Sequence, residues 1–241
     1  GVGEYTRRDT THVDSSMRPT QYDYDRYIWL VQLGNRLNWD HAALKDQNPF
    51  RVADPTMTFI LLRAHHDLKY LGEQLGLDTG GMAQEVAMLE AGAQSLWNPE
   101  LQSYDGRDAI TGEWTGCISN ASFLCWYAGL PSDAQAAHLD RILNTVTYGV
   151  PSHDPEAPKF DAKRYWRGPA WGFMNMMIGI GLIENDHPLG EKIRGMTGEL
   201  ISRFGFAEYF DPTDGTPAGG SSFTWTAAVW LTWASPKAGS F

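Results

Sequence analysis

Residues 169–183, PAWGFMNMMIGIGLI, contain no charged side chain, and the stretch 221–234, SSFTWTAAVWLTWA, contains none either. A helix that is apolar nearly all round has to be covered on every side. Neither run reaches the roughly 18 consecutive apolar residues of a membrane-spanning helix, so the cover is expected to be protein. Two further segments, SDAQAAHLDRILNTV and PLGEKIRGMTGELISRFG, behave differently: each has one apolar face (Leu139, Ile142, Leu143 and Val146 in the first) and one charged face. Alternation of fully buried and half-exposed helices is the pattern of two concentric helical layers. The chain is therefore expected to be all-α.

The remaining punctuation fits that expectation. TQYDYDRYIWLVQLGNRLNW has helical spacing behind Pro19-Thr20, and Asp54-Pro55 supplies a cap and a first-turn proline for a helix that Gly76 stops. Another helix is expected from about Met82 to Trp97, one more over SNASFLCWYAGL, and Ser132 caps the helix that follows. Gly168-Pro169 is expected to start the apolar helix. The Asp-Gly and Thr-Gly pairs of YDGRDAITGEW predict a small β-hairpin near residues 101–115.

Several functions are disfavoured. A formal charge of −10 argues against nucleic acid as a partner, and no segment reads as a membrane span. The adjacent His65 and His66 point in different directions on a helix and form no two-ligand face, and no metal site is expected. GGMAQE and PAGGSS lack phosphate-loop spacing. Ser-His-Asp or Cys-His constellations do not stand out, and Cys125 is expected to be buried. Two cysteines are too few for a disulfide framework, which favours a cytoplasmic location.

What is unusual is the aromatic content: 10 Trp, 10 Tyr and 10 Phe. Rings that stack on pyranose faces are one recurrent reason for such a density, beside ordinary core packing. The densest cluster is RYWRGPAWGF, immediately before the apolar helix. Trp166 and Trp171 are placed there to stack on a hexose, Tyr165 to bond a sugar oxygen, and Gly168 to admit a ligand to the backbone. Arg167 is equally a binding group or a structural ion-pair partner. Glu208, in FAEYFDP, is a carboxylate among rings ahead of a turn-rich segment, well placed to hold and deprotonate a water. Asp211 reads as a turn former.

Three separated motifs, YTRRDTTHVDSSMRPTQYDYDRY, YWRGPAW and AEYFDPTDGTPAGGSSFTWTAA, occur in an order that resembles glycoside hydrolase family 63, in its bacterial branch acting on mannosylglycerate and glucosylglycerate. The resemblance implies an (α/α)6 barrel and an inverting two-carboxylate hydrolysis of a hexosylglycerate, glucosylglycerate foremost, without cofactor. It makes Glu208 the general base and adds Trp225 to the substrate-binding set. Glycerate is an acid, so Arg7, Arg8 and Arg18 become candidates for its carboxylate, each equally able to pair with Asp9, Asp14 or Asp23. Asp14 is a candidate for sugar hydroxyls, equally a loop cap, and the best substitute acid within the chain. The family's acid lies in a segment of the pattern W-E-S/T-G-x-D that this sequence lacks. The chain is therefore expected to be the C-terminal half or two-thirds of one barrel (residues 1–241), with the acid on an N-terminal segment of the same enzyme and homo-oligomerisation left open. The alternatives are a non-catalytic carbohydrate-binding half-barrel, or a trehalase or oligosaccharide glucosidase of the same clan.

Overall fold

The structure is a computed structural model and describes residues 1–238. Its helices are α1 (Gln21–Arg36), α2 (His41–Gln47), α3 (Pro55–Gln74), α4 (Gly80–Gln94), α5 (Asp133–Leu143), α6 (Gly172–Glu184), α7 (Leu189–Phe204) and α8 (Thr224–Val229), which continues as a π-helical turn over Trp230–Ala234. The caps read from sequence are present. Thr20 and Asp23 form a capping box on α1, Asp54 accepts from the Met57 amide ahead of Pro55, and Ser132 accepts from the Gln135 amide.

The helices form an arc of two rows. The first row runs α3, a six-residue 3-10 helix (Asn120–Cys125), α6 and α8, each packed on the next. Behind it lie α4, α5 and α7, each against the first-row element that precedes it in sequence. The main core sits between the rows, with Phe59, Leu62, Phe123, Leu139, Ile178, Ile193 and Trp233 all buried. An Arg63 guanidinium ties the front of this core together: it reaches Asp67 on its own helix, Glu184 at the end of α6 (2.6 Å) and the Tyr127 carbonyl.

Three expectations are corrected. The segment SNASFLCWYAGL completes only a 3-10 helix over Asn120–Cys125, where the Ser122 hydroxyl accepts from the Ser119 amide and donates to the Tyr104 carbonyl. The apolar helix starts at Gly172, not at Gly168-Pro169; Ala170 is extended backbone bridging Pro151 on one side and Phe210 on the other. The α8 segment is not covered on every side: Trp225 is 56% and Leu231 72% exposed, since α8 ends the first row and packs on α6 along one flank. By contrast α6 is buried or half-buried throughout, except at Glu184.

The strands are short. β2 (Trp97–Asn98) and β3 (Ser103–Tyr104) make a hairpin earlier in the chain than the expected one, while β4 (Arg107–Asp108) pairs at long range with β1 (Val52–Ala53). Around the Thr-Gly turn the chain doubles back as expected, through an antiparallel bridge between Arg107 and Trp114 flanked by the Asp108 amide donating to the Glu113 carbonyl and the Thr115 amide to the Gly106 carbonyl. Buried Asp105 holds these loops in place, accepting from Asn98, Thr115 and the Gly116 amide. The last pair, β5 (Tyr209–Phe210) with β6 (Pro217–Ala218), presents Glu208.

Candidate active site

The YWRGPAW and EYFDP motifs meet through Ala170 and Phe210, whose amides each donate to the other's carbonyl. That bridge sets Trp171 beside Tyr209, with ring centres 4.7 Å apart, and puts Glu208 at the foot of an aromatic wall. Glu208 is buried yet has no apolar isolation: Arg18 donates to Oε1 at 3.1 Å and to Oε2 at 2.8 Å, and the Gly220 amide donates to Oε2 at 2.9 Å. Burial works against the Arg18 charge, but the bonds to Glu208 outweigh it and hold the guanidinium above its ordinary pKa. The phenols of Tyr165 and Tyr209 are both pushed up, by burial first and by the Glu208 charge as well, so both remain protonated donors.

The rings divide into two kinds. Trp171 is 3% exposed, stacked between Trp166 (4.4 Å, 8° between planes) and Tyr209, and its indole N–H donates to the Tyr165 carbonyl. It has no face left for a hexose, contrary to expectation. Trp166, 43% exposed, keeps one free face, and Phe173 and Trp225 extend the wall edge to face at 5.0 Å. Phe173 and Tyr209 pack into this aromatic cluster although neither was singled out for binding; Tyr209 directly follows Glu208 and Phe173 lies two residues after Trp171. Tyr165 sits at φ +37°, in the left-handed region that non-glycine residues rarely occupy, and its ring lies 5.1 Å from the Arg18 guanidinium carbon.

Other candidates have structural employment. Gly168 is small because of the protein, not a ligand: a Cβ there would lie 2.3 Å from the Asp161 carbonyl oxygen. Arg167 donates twice to the Lys159 carbonyl. Arg7 pairs with Asp9 at 2.6 Å and bonds the Pro19 carbonyl. Arg18 is taken by Glu208, which leaves exposed Arg8 as the arginine of the three without an ion pair among the described residues. Asp14 caps the short 3-10 helix Ser15–Met17, and its bonds to the Ser16 hydroxyl and amide lower its pKa, which does not suit a proton donor. The other buried carboxylates are equally engaged: Asp105 in its loops, Asp154 by Arg141, and Asp211 in the Thr213 turn.

One pairing escaped the sequence: Cys117 Sγ lies 2.8 Å from His153 Nδ1. Burial, with Asp105 and Asp154 adding to it, pushes the thiol up to about 12, and burial pushes the imidazole down. Both are therefore neutral near pH 7, unlike an activated nucleophile. Cys117 in the folded protein is expected to react with a disulfide reagent at pH 8 far more slowly than after denaturation. Immediate stoichiometric labelling of the native protein at Cys117 contradicts this.

A two-row helical arc with a buried carboxylate beside packed aromatic rings has the architecture of part of an (α/α)6 barrel. The chain belongs to the mannosylglycerate hydrolase MGH1-like glycoside hydrolase domain family, whose model matches residues 3–226. It is 38% identical over 239 residues to mannosylglycerate hydrolase MGH1 of Selaginella moellendorffii, covering 96% of this chain and 49% of that protein. It is 27% identical to glucosylglycerate hydrolase of Mycolicibacterium hassiacum, over 95% of this chain and 55% of that protein. The crystal structure of GH63 mannosylglycerate hydrolase from Thermus thermophilus in complex with Tris and D-glycerate superposes with a TM-score of 0.91 at 35% identity, covering 94% of this chain and 56% of that one. The chain thus spans about half the length of the curated relatives it matches.

Proposed function

We propose that the protein hydrolyses an α-hexosylglycerate to the free hexose and glycerate with inversion, and that Glu208 is its general base. Water held on Glu208 attacks C1, its proton passing to the carboxylate. The C1–oxygen bond breaks toward glycerate, whose oxygen takes a proton from an adjacent general acid, the two carboxyl groups lying about 6.5–9.5 Å apart across the sugar. That acid is assigned to a segment outside residues 1–241, a choice supported by the structural employment of Asp14, Asp105, Asp154 and Asp211. Trp166, Phe173 and Trp225 form the sugar-facing wall, and Tyr165 donates to a sugar oxygen. The observation that carries the proposal is the buried Glu208 carboxylate, held by Arg18 and the Gly220 amide close to the Tyr165 and Tyr209 phenols. The relatives named mannosylglycerate hydrolase are the more similar ones, which favours mannose over glucose as the glycone. A small polar substrate and free cysteines fit a cytoplasmic enzyme, and no described helix is long and apolar enough to cross a membrane. The exposed Leu68 and Leu71 on α3 and Leu231 after α8, at the two ends of the first row, fit edges covered by the rest of a barrel or by a second copy.

The test is hexose release by the full natural protein from mannosylglycerate and glucosylglycerate, with trehalose as control and the anomer followed by NMR. A β-anomer first product from a hexosylglycerate is expected. Binding without hydrolysis supports the non-catalytic alternative, and turnover of trehalose alone moves the protein to a trehalase. Arg8 is the group assigned to glycerate. Replacing it with alanine removes a charge-assisted bond of about 1.5–3 kcal/mol, so KM for the hexosylglycerate is expected to rise about ten- to a hundredfold. KM for the uncharged hexosylglycerol is expected to stay within about threefold. Equal changes for both substrates make Arg8 structural.

A further inference from the structure

Arg18 and Glu208 lie 190 residues apart in sequence, yet they meet as a bidentate pair from which water is largely excluded. The arginine is held in that pose from several directions. The rings of Tyr165 and Tyr209 flank its guanidinium carbon at 5.1 and 6.0 Å. Its backbone is clamped too: the Tyr209 hydroxyl donates to the Met17 carbonyl (2.9 Å), Arg164 to the Arg18 carbonyl and Arg7 to the Pro19 carbonyl. The backbone that carries Arg18 is thus fixed, and swinging the guanidinium out to a substrate breaks both of its bonds to Glu208. The acceptor positions of Glu208 are also unequal. Of about four lone-pair sites on a carboxylate, Oε2 spends two, on Arg18 and Gly220, while Oε1 spends one, on Arg18.

We propose that Arg18 is a positioning residue: it orients Glu208 so that Oε1 alone keeps an open acceptor for the attacking water, and it does not bind the substrate's acid group. This rests on the assignment of Glu208 as base made above. A fork of two parallel N–H donors fixes both the position and the plane of a carboxylate, which a single ammonium cannot do. The proton that Oε1 takes from water is then directed to one atom. The remaining guanidinium nitrogen, Nε, is buried without a partner among the described residues, so Glu208 receives all of the charge-assisted bonding that Arg18 makes.

The experiment compares Arg18→Met and Arg18→Lys with wild type in the full natural protein, on a hexosylglycerate and on the uncharged hexosylglycerol. Loss of a well-oriented base is expected to lower kcat about 10²-fold or more for both substrates, with KM for each within about threefold of wild type. Guanidinium ion below its denaturing range is expected to restore part of the Arg18→Met rate, and Arg18→Lys to fall between the two. Arg18→Lys carries the comparison if Arg18→Met does not fold. A KM increase confined to the glycerate substrate, or an unchanged kcat, overturns the proposal. Should wild type hydrolyse neither compound, the substrate assignment fails by itself. The pair is then judged by thermal unfolding of Arg18→Met, Glu208→Gln and the double variant: coupled losses uphold the positioning contact and additive ones overturn it.

Discussion

Glu208→Gln in the full natural protein is expected to lower kcat for hexosylglycerate hydrolysis by about 10²–10⁴ or more while the substrate still binds. The amide keeps the outline of the side chain and removes the proposed base, so the aromatic rings and the Tyr165 hydroxyl proposed to meet the sugar are left in place. The substitution is less innocent here than at an exposed carboxylate. Arg18 donates to both oxygens of Glu208, and glutamine offers one acceptor and one donor in their place. One guanidinium N–H then faces an amide N–H, in a setting where an unsatisfied buried donor costs about 1–3 kcal/mol. A modest loss of thermal stability should therefore accompany the loss of turnover, and Arg18→Met in the same background should relieve part of it. Isothermal titration with the intact substrate separates the two effects, since binding should survive. Hydrolysis at near wild-type rates by Glu208→Gln removes this residue from the chemistry and returns the search to the other carboxylates.

The second large effect is on stability and lies away from the site. Gly181, near the end of α6, faces the backbone of Trp126 and Tyr127, and a Cβ there would stand 2.2 Å from the Tyr127 nitrogen and 2.4 Å from the Trp126 carbonyl carbon. Backbone cannot turn aside as a side chain can, so α6 has to move away from the segment that follows the 3-10 helix, its neighbour in the first row. Gly181→Val is expected to destabilise the protein by about 3 kcal/mol, at the upper end of overpacking costs. Gly92→Ala in α4 is the control: nothing lies within 4 Å of its Cβ position, and the better helix former is expected to be neutral or to stabilise by about 0.5–1 kcal/mol. The two changes are compared by thermal unfolding. Equal effects from Gly181→Val and Gly92→Ala refute the close approach of α6 to the preceding segment.

The division between sequence and structure follows the range of the forces involved. Asp54 and Ser132 were legible as caps, and Pro19-Thr20 as a helix start, because a cap joins a side chain to an amide two or three residues on, and the result is local. The two kinds of helix were legible because a polar face on α5 and α7, and its absence on α6, are properties of single helices. The position of Glu208 among rings was visible in FAEYFDP for the same reason. Other assignments needed distant partners. Nothing in the MRPT segment says that Arg18 will spend its guanidinium on Glu208, and nothing in RGPAW says that Gly168 makes room for the Asp161 carbonyl. Trp166 and Trp171 read alike in one dimension; only stacking against Tyr209 buries one and leaves the other facing outward. Cys117 and His153, 36 residues apart, became neighbours through the bridge between Ser119 and His153. What the sequence determined by itself was helix content, helix polarity and the type of chemistry its residues allow, because these follow from covalent neighbours and periodic faces. Which arginine serves the base, which tryptophan is free and where glycine is obligatory were decided by tertiary structure, because each depends on a contact whose two halves lie far apart along the chain.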